Sequence, residues 1–473
     1  MWILLLKTDM RTICNSLTIG LLLLLGSCGA ANRAQDTYVR VSPSNPSYFE
    51  TSDGKAYIPV GCNIAALGRR EHIGHYLDRL ASNGCNFGRV WLNSALFEVE
   101  TVYGEVNEEH LENIVLLLDG AKARGIKIKL CIESFRHIRP GKNKWDTKAS
   151  YHKSNGGPFE SSEDYITSAR GREEFLKRLS VIKERVGDHP AVFGWELWNE
   201  MNAVDCSDIR QWNEYMLPEV KKMFGKNLVM QSLGSLDRES SFPIYEFING
   251  LESNEVAQVH RYLDMGADLP ICHAPMDSLC EDAVKVLLSY NLRKPVLLAE
   301  GGAVKPVHTG PSQLYPLDKD GILLHDVLFA PFFSGAAGPG QSWHWDHYIE
   351  KYDKWHIFKG FAETVKGVDP VKECFRPEKL NKDDLKWYCL KGKKTDLIWV
   401  RDALNTWQNE FEEGLSPRVV SGVSMDMDVL TGGRKVRKVS FFDPWTETWS
   451  EAKTEEELIL PQFSRSIVVK IKY

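Results

Sequence analysis

The chain has 473 residues and a net charge of −6, from 58 Lys and Arg against 64 Asp and Glu. That balance offers no clustered basic surface of the kind that binds a phosphate backbone, which excludes a nucleic-acid partner. The length exceeds one ordinary domain and predicts a large domain plus a smaller one, with 43% hydrophobic residues available for the core.

Residues 1–28 read as a targeting segment: Lys7 and Arg11 precede an apolar run at 17–25 that is too short to span a bilayer. The run ends in Leu25-Gly26-Ser27-Cys28, which resembles a bacterial lipobox. Cys28 is therefore the expected lipid site, and the protein is expected to be exported as a cell-envelope lipoprotein, or secreted. A signal peptide cut near Ala30 or Ala31 is the other reading. With Cys14 and Cys28 set aside, eight cysteines remain in a compartment that permits disulfides. Cys272 and Cys280 are near enough in sequence to pair, as are Cys374 and Cys389, whereas Cys62, Cys85 and Cys131 lie in apolar runs and read as buried thiols.

Strand-like runs at 38–41, 48–51 and 56–60 alternate about Ser52-Asp53-Gly54, which predicts a hairpin. From there the chain repeats a beat of strand then helix. Eight strands are expected at 58–63, 87–92, 126–132, 192–198, 228–231, 256–260, 296–299 and 342–345. Amphipathic stretches at 72–81, 107–123, 171–186, 208–224, 277–288, 322–332 and 352–365 fall between and after them. This is an α/β pattern, and eight repeats fit a (β/α)8 TIM barrel at 29–372 better than an open doubly wound sheet. No GxGxxG follows the first strand, which also argues against a Rossmann fold. The excursion at 133–169 is long for a strand-to-helix connection and is expected to form a cleft wall. After Pro370 the helical period gives way to alternating runs, which predict a C-terminal β-sandwich at 373–473. It is expected to brace the barrel, with glycan binding as the other role.

Two apolar strands end in carboxylates. Val192-Phe-Gly-Trp-Glu-Leu-Trp-Asn199-Glu200 closes the fourth strand, and Val296-Leu-Leu-Ala-Glu300-Gly-Gly closes the seventh. Barrel chemistry sits at the carboxyl ends of the strands, where a buried apolar strand has no structural use for such groups. Two carboxylates across one mouth supply what glycosidic cleavage needs, one to protonate the leaving oxygen and one to meet the anomeric carbon. Glu196 lies on the same strand face as Glu200 by the period of two, and its burial would require a cation such as Arg89. No Cys/His spacing suggests zinc, and the paired-carboxylate chemistry needs neither a metal nor an organic cofactor.

This constellation resembles clan A of the glycoside hydrolases, most closely family 5, over residues 37–370. The resemblance implies a retaining O-glycosyl hydrolase with Glu200 as acid/base and Glu300 as nucleophile. It implies that Asn199 bonds the sugar 2-hydroxyl, that Arg89 keeps the nucleophile ionised, and that His260 and Tyr262 flank the carboxylates. Trp345, with Trp343 as its alternative, matches the aromatic platform under the cleaved sugar. Two positions depart from the family pattern: Met201 stands where Pro usually follows the acid/base, and Cys131-Ile-Glu-Ser replaces a His-containing signature. The implied substrate is a β-linked oligo- or polysaccharide, β-mannan or β-glucan. A barrel that binds glycan without cleaving it and a transglycosidase are the competing readings. A monomer is expected, with membrane contact only through the lipid on Cys28.

Overall fold

The computed structural model describes residues 36–134, 145–207, 209–452 and 456–473. Cys28 lies outside them. Residues 38–473 form one compact unit, and among the described residues no helix is long and apolar enough to cross a membrane.

The N-terminal runs form a three-stranded antiparallel sheet, β1 (Val39–Val41), β2 (Phe49–Thr51) and β3 (Ala56–Tyr57), with the last two joined by a turn in which Gly54 takes φ 80°. Phe49 packs edge-on against Phe193, which meets Phe87 in turn, at centroid distances of 5.3 and 5.1 Å. The small sheet thus covers the amino ends of the barrel strands and leaves their carboxyl ends for chemistry.

Strands β4 (Gly61–Asn63), β5 (Phe87–Trp91), β6 (Lys127–Ser134), β7 (Val192–Asn199) and β8 (Leu228–Met230) run parallel in that order. A second parallel pair joins β9 (Ala257–Leu263) to β10 (Val296–Ala303). The ladder breaks between β8 and β9, where the Asn254 side chain and the Glu255 backbone take over its hydrogen bonds. The eighth strand expected at 342–345 is reduced to a single bridge, Gly301 to Ser342, and Trp345 instead opens a π-helical turn, Trp345–Glu350. That segment still ties the last strand to the first, because Asn63 N donates to Ser342 O at 3.1 Å and the Asn63 amide reaches the carbonyls of Ala299, Gln341 and Ser342.

Helices follow the strands at Glu71–Ser82, Glu108–Ala123, Ala169–Val186, Ile209–Met223, Phe242–Gly250, Met276–Ser289, Ile322–Phe333 and His356–Val365. Sequence periodicity does not reveal Phe242–Gly250. It is short and carries Pro243, which is tolerated there because a first-turn residue has no intrahelical N–H bond to lose.

The C-terminal part is a six-stranded antiparallel sheet in the order Arg376–Lys382, Leu385–Lys391, Thr395–Asp402, Ser466–Lys472, Lys438–Asp443 and Thr448–Glu451, with two short strand pairs beside it. Alternation divides its faces. Tyr388, Leu390, Leu397, Trp399, Phe442 and Val468 join the barrel core, while Trp387, Cys389, Ile398, Val400, Phe441 and Val469 build a separate cluster on the other face. All eight described cysteines, Cys272, Cys280, Cys374 and Cys389 among them, are free thiols, so the pairs allowed by sequence spacing are not formed.

Buried charge fastens the sheet to the barrel. Arg401, 1% exposed, donates through Nε and Nη2 to Asp326 in helix Ile322–Phe333, at 3.0 and 3.2 Å. Burial, opposed by Arg401, pushes the Asp326 carboxyl up to about 6. Arg401→Met is expected to cost about 3–5 kcal/mol of stability, because it leaves Asp326 buried without its cation. Urea denaturation measures this, and an accompanying Asp326→Leu should recover most of the loss; a single-variant midpoint equal to wild type would refute it.

Candidate active site

Each strand delivers its side chain to the mouth by a local device. On β5 the period of two turns Arg89 inward. On β7 strict alternation fails: Glu196 points in to Arg89, yet Trp198, of the same parity, packs outward on Phe175 and Trp212. Asn199 is thereby turned in and accepts from Arg89 Nη2 at 2.7 Å. The strand then ends in Glu200, whose φ of 54° is a left-handed conformation that non-glycine residues adopt at a cost and that clusters at functional sites. On β10 a bulge at Ala299 sets Glu300 opposite His260 of β9 and Gly302 opposite Tyr262.

These residues form one connected network. Arg89, fully buried, donates to both oxygens of Glu196 at 2.7 and 2.8 Å, to Asn63 at 3.0 Å and to Glu300 Oε1 at 2.5 Å. The Tyr262 hydroxyl donates to Glu300 Oε2 at 2.6 Å. His260 Nδ1 lies 3.0 Å from Glu200 Oε1 and 3.5 Å from Glu300 Oε2. Burial would raise the Glu300 carboxyl, but His260 and Arg89, together with hydrogen bonds from Tyr262 and Arg89, hold it below the usual carboxylate range. The Glu300 side chain is 4% exposed, against 18% for Glu200. One carboxylate is therefore fixed and anionic, while the other is open to the cleft.

Beneath them lies a cation the sequence reading passes over. Lys129 Nζ sits 3.3 Å from Glu196 Oε2 and donates to Gln258 Oε1 at 2.6 Å, and burial lowers its ammonium to about 8. Arg89 and Lys129 thus balance Glu196 and Glu300 inside the barrel. A lysine at an inward position of an apolar strand was the available signal.

The cleft has a volume of about 780 Å³, within the range of sites that enclose small ligands. Asn199, Glu200, Tyr262 and Glu300 line it, together with Trp91, Trp343 and His344 and with Asp237, Asp264 and His308. The aromatic wall is Trp343, not the expected Trp345: Trp343 stands 5.0 Å from Trp91, and Trp345 packs edge-on behind it at 5.4 Å and is 6% exposed. The excursion after β6 also differs from expectation, since none of its described residues lines the cleft. Instead its Tyr151 ring packs on the Arg178 guanidinium, which is ion-paired to Glu133, while Trp145 and Phe159 pack around Tyr165. His308, Asp264 and Asp237 come from loops whose sequence carries no periodic signal, and His344 from the run expected to form the eighth strand.

Glu200, His260 and Glu300 offer ligand atoms within 4.8 Å of one another, a spacing that a metal ion would also accept. Arg89 and Tyr262 already engage both oxygens of Glu300, however, and the guanidinium repels a cation there.

No family model matches the chain. It is similar to mannan endo-1,4-beta-mannosidase A of Podospora anserina, 25% identical over 239 residues, which is 45% of this chain and 60% of that protein. The chain thus spans less than two thirds of that relative's length. A solved glycoside hydrolase family 5 structure from Bacteroides vulgatus superimposes with a TM-score of 0.58 and 13% identity, covering 92% of this chain and 93% of that one. The chain is similar to glycoside hydrolases of family 5. A second structure, described as a glycoside hydrolase, agrees in fold with a TM-score of 0.60 at 11% identity, covering 92% of this chain and 97% of that one. Because both alignments cover nine tenths of the chain, the likeness in fold takes in the C-terminal sheet as well as the barrel.

Proposed function

We propose that the chain is a retaining glycoside hydrolase that cleaves the β-linked backbone of a mannan, with β-glucan as the other substrate class. The observation that carries this is the approach of Glu200 and Glu300 to within 4.8 Å through ligand atoms, one buried and held anionic, the other facing the cleft. Retaining enzymes set their carboxyl groups about 5–5.5 Å apart, while inverting enzymes keep about 6.5–9.5 Å to admit a water. Similarity to an endo-1,4-beta-mannosidase favours mannan. The closed eightfold barrel, export and lipidation at Cys28 belong to the same reading, the last two on the strength of the leader-like first 28 residues.

In the first step a Glu300 oxygen bonds the anomeric carbon as the glycosidic C–O bond breaks, and Glu200 gives its proton to the departing oxygen. In the second, Glu200 takes a proton from water, whose oxygen displaces Glu300 and releases the sugar with its configuration retained. Asn199 and Tyr262 keep Glu300 and the bound ring in register, Asn199 from its bond to Arg89 and Tyr262 from its bond to Glu300. Proton NMR of the first product formed from a β-1,4-mannooligosaccharide tests the reading. The β-anomer is expected before mutarotation, and initial release of the α-anomer would overturn it.

A further inference from the structure

Besides Trp91 and Trp343, the cleft is lined by a turn that the displacement chemistry does not use. Val307 and His308 are consecutive residues at positive φ, 59° and 53°. A β-branched residue rarely adopts that conformation, and it persists only where the surroundings impose it. Here Asp264, 1% exposed, imposes it by accepting from the backbone N–H of Val307 at 2.9 Å and of His308 at 3.3 Å. Gly266 allows the approach, since a Cβ there would meet Val307 N at 2.6 Å. Val307 is 71% exposed, so little packing offsets the strain. What the turn delivers is His308.

The His308 side chain lines the cleft, 35% exposed, with Nε2 3.5 Å from Asp264 Oδ2 and 3.9 Å from Asp237 Oδ2. Its ring stands edge-on to Tyr262 at 5.0 Å, and Tyr262 bonds Glu300. The imidazole is therefore held at a set position relative to the carboxylate that receives the sugar. Glu200, Glu300, Trp343 and His308 line the same cleft, so a chain bound at the two carboxylates has His308 within the space it occupies.

We propose that His308 is a substrate-contacting residue that hydrogen-bonds the sugar ring next to the one transferred to Glu300, and so sets a preference for oligosaccharides over single-sugar glycosides. This rests on the hydrolase reading above. The bond is made with a ring that an aryl monoglycoside lacks, so its loss separates the two kinds of substrate.

The test compares kcat/KM on β-1,4-mannotetraose and on 4-nitrophenyl β-mannoside for the full chain, His308→Phe and His308→Asn. Phe keeps a ring against Tyr262, and Asn suits the left-handed backbone but is too short to reach a sugar. Both variants are expected to lose about tenfold more on the tetraose than on the aryl glycoside, mainly through KM, as for one hydrogen bond to a bound ligand. Equal losses on the two substrates, or none, would overturn the inference and leave the turn a wall that acts only by packing. A wild type that cleaves neither substrate overturns the hydrolase reading and this inference together.

Discussion

Glu300→Ala is expected to lower turnover of an aryl β-mannoside by about 10⁴–10⁶-fold, and sodium azide is expected to restore part of it with formation of the α-mannosyl azide. Removing the Glu300 carboxylate opens the face of the anomeric carbon it would attack, while Glu200 remains to protonate the leaving group. Azide enters that face once, so configuration inverts. Glu200→Ala should behave differently. With an activated aryl leaving group the first step needs little acid assistance, Glu300 still forms the glycosyl-enzyme, and azide displaces it to give the β-mannosyl azide. On a poor leaving group the same variant is expected to lose about 10²–10⁴-fold, the usual contribution of a positioned acid. The geometry motivates this division of roles: Glu300 is nearly enclosed and engaged at both oxygens, whereas Glu200 is the more exposed and its carboxylate meets His260. A β-azide from Glu300→Ala would exchange the two assignments.

The site's strand-borne part was legible because strand ends write chemistry into an apolar pattern. Arg89, Asn199, Glu200, His260, Tyr262 and Glu300 each interrupt a buried run, and the structure brings all six to one network. What failed to show depends on geometry that periodicity does not encode. The eighth strand shrinks to a bridge at Ser342, which moves the cleft-facing aromatic from Trp345 to Trp343. Period two would place Trp198 beside Glu196, but the strand twists before it ends in the left-handed Glu200. Arg376–Lys382 is an edge strand with mostly exposed, charged residues, so no alternation marks it. His308 and Asp264 meet only because Val307 accepts a strained backbone, and one sequence does not reveal where a loop carries strain.

Arg89→Met carries the largest combined effect on stability and chemistry. All five guanidinium N–H groups are committed: two to Glu196, and one each to Asn63, Glu300 and Asn199. Without them Glu196 is left with Lys129 and Glu300 with His260 and Tyr262, and a loss of about 3–5 kcal/mol is expected at neutral pH. The pH dependence has a definite sign. In the native protein Glu300 is held below the usual carboxylate range, so the stability it contributes is present above that range and is lost as pH falls through its lowered value. In Arg89→Met the effect of burial, already the largest, is less opposed and the Glu300 carboxyl rises. The acid limb of kcat/KM should therefore move to higher pH. The stability deficit against wild type should narrow as acid neutralises the stranded carboxylates. Arg89→Lys restores a charge but not the five-donor fork, so it should return part of the acid limb while kcat stays low. Urea denaturation at pH 7 and pH 5, with kcat/KM profiles of the three proteins, measures each of these. An acid limb that does not move in Arg89→Met would mean that His260 and Tyr262 hold Glu300 ionised without the guanidinium, and Arg89 would then be left with the placement of Asn199 and Glu196.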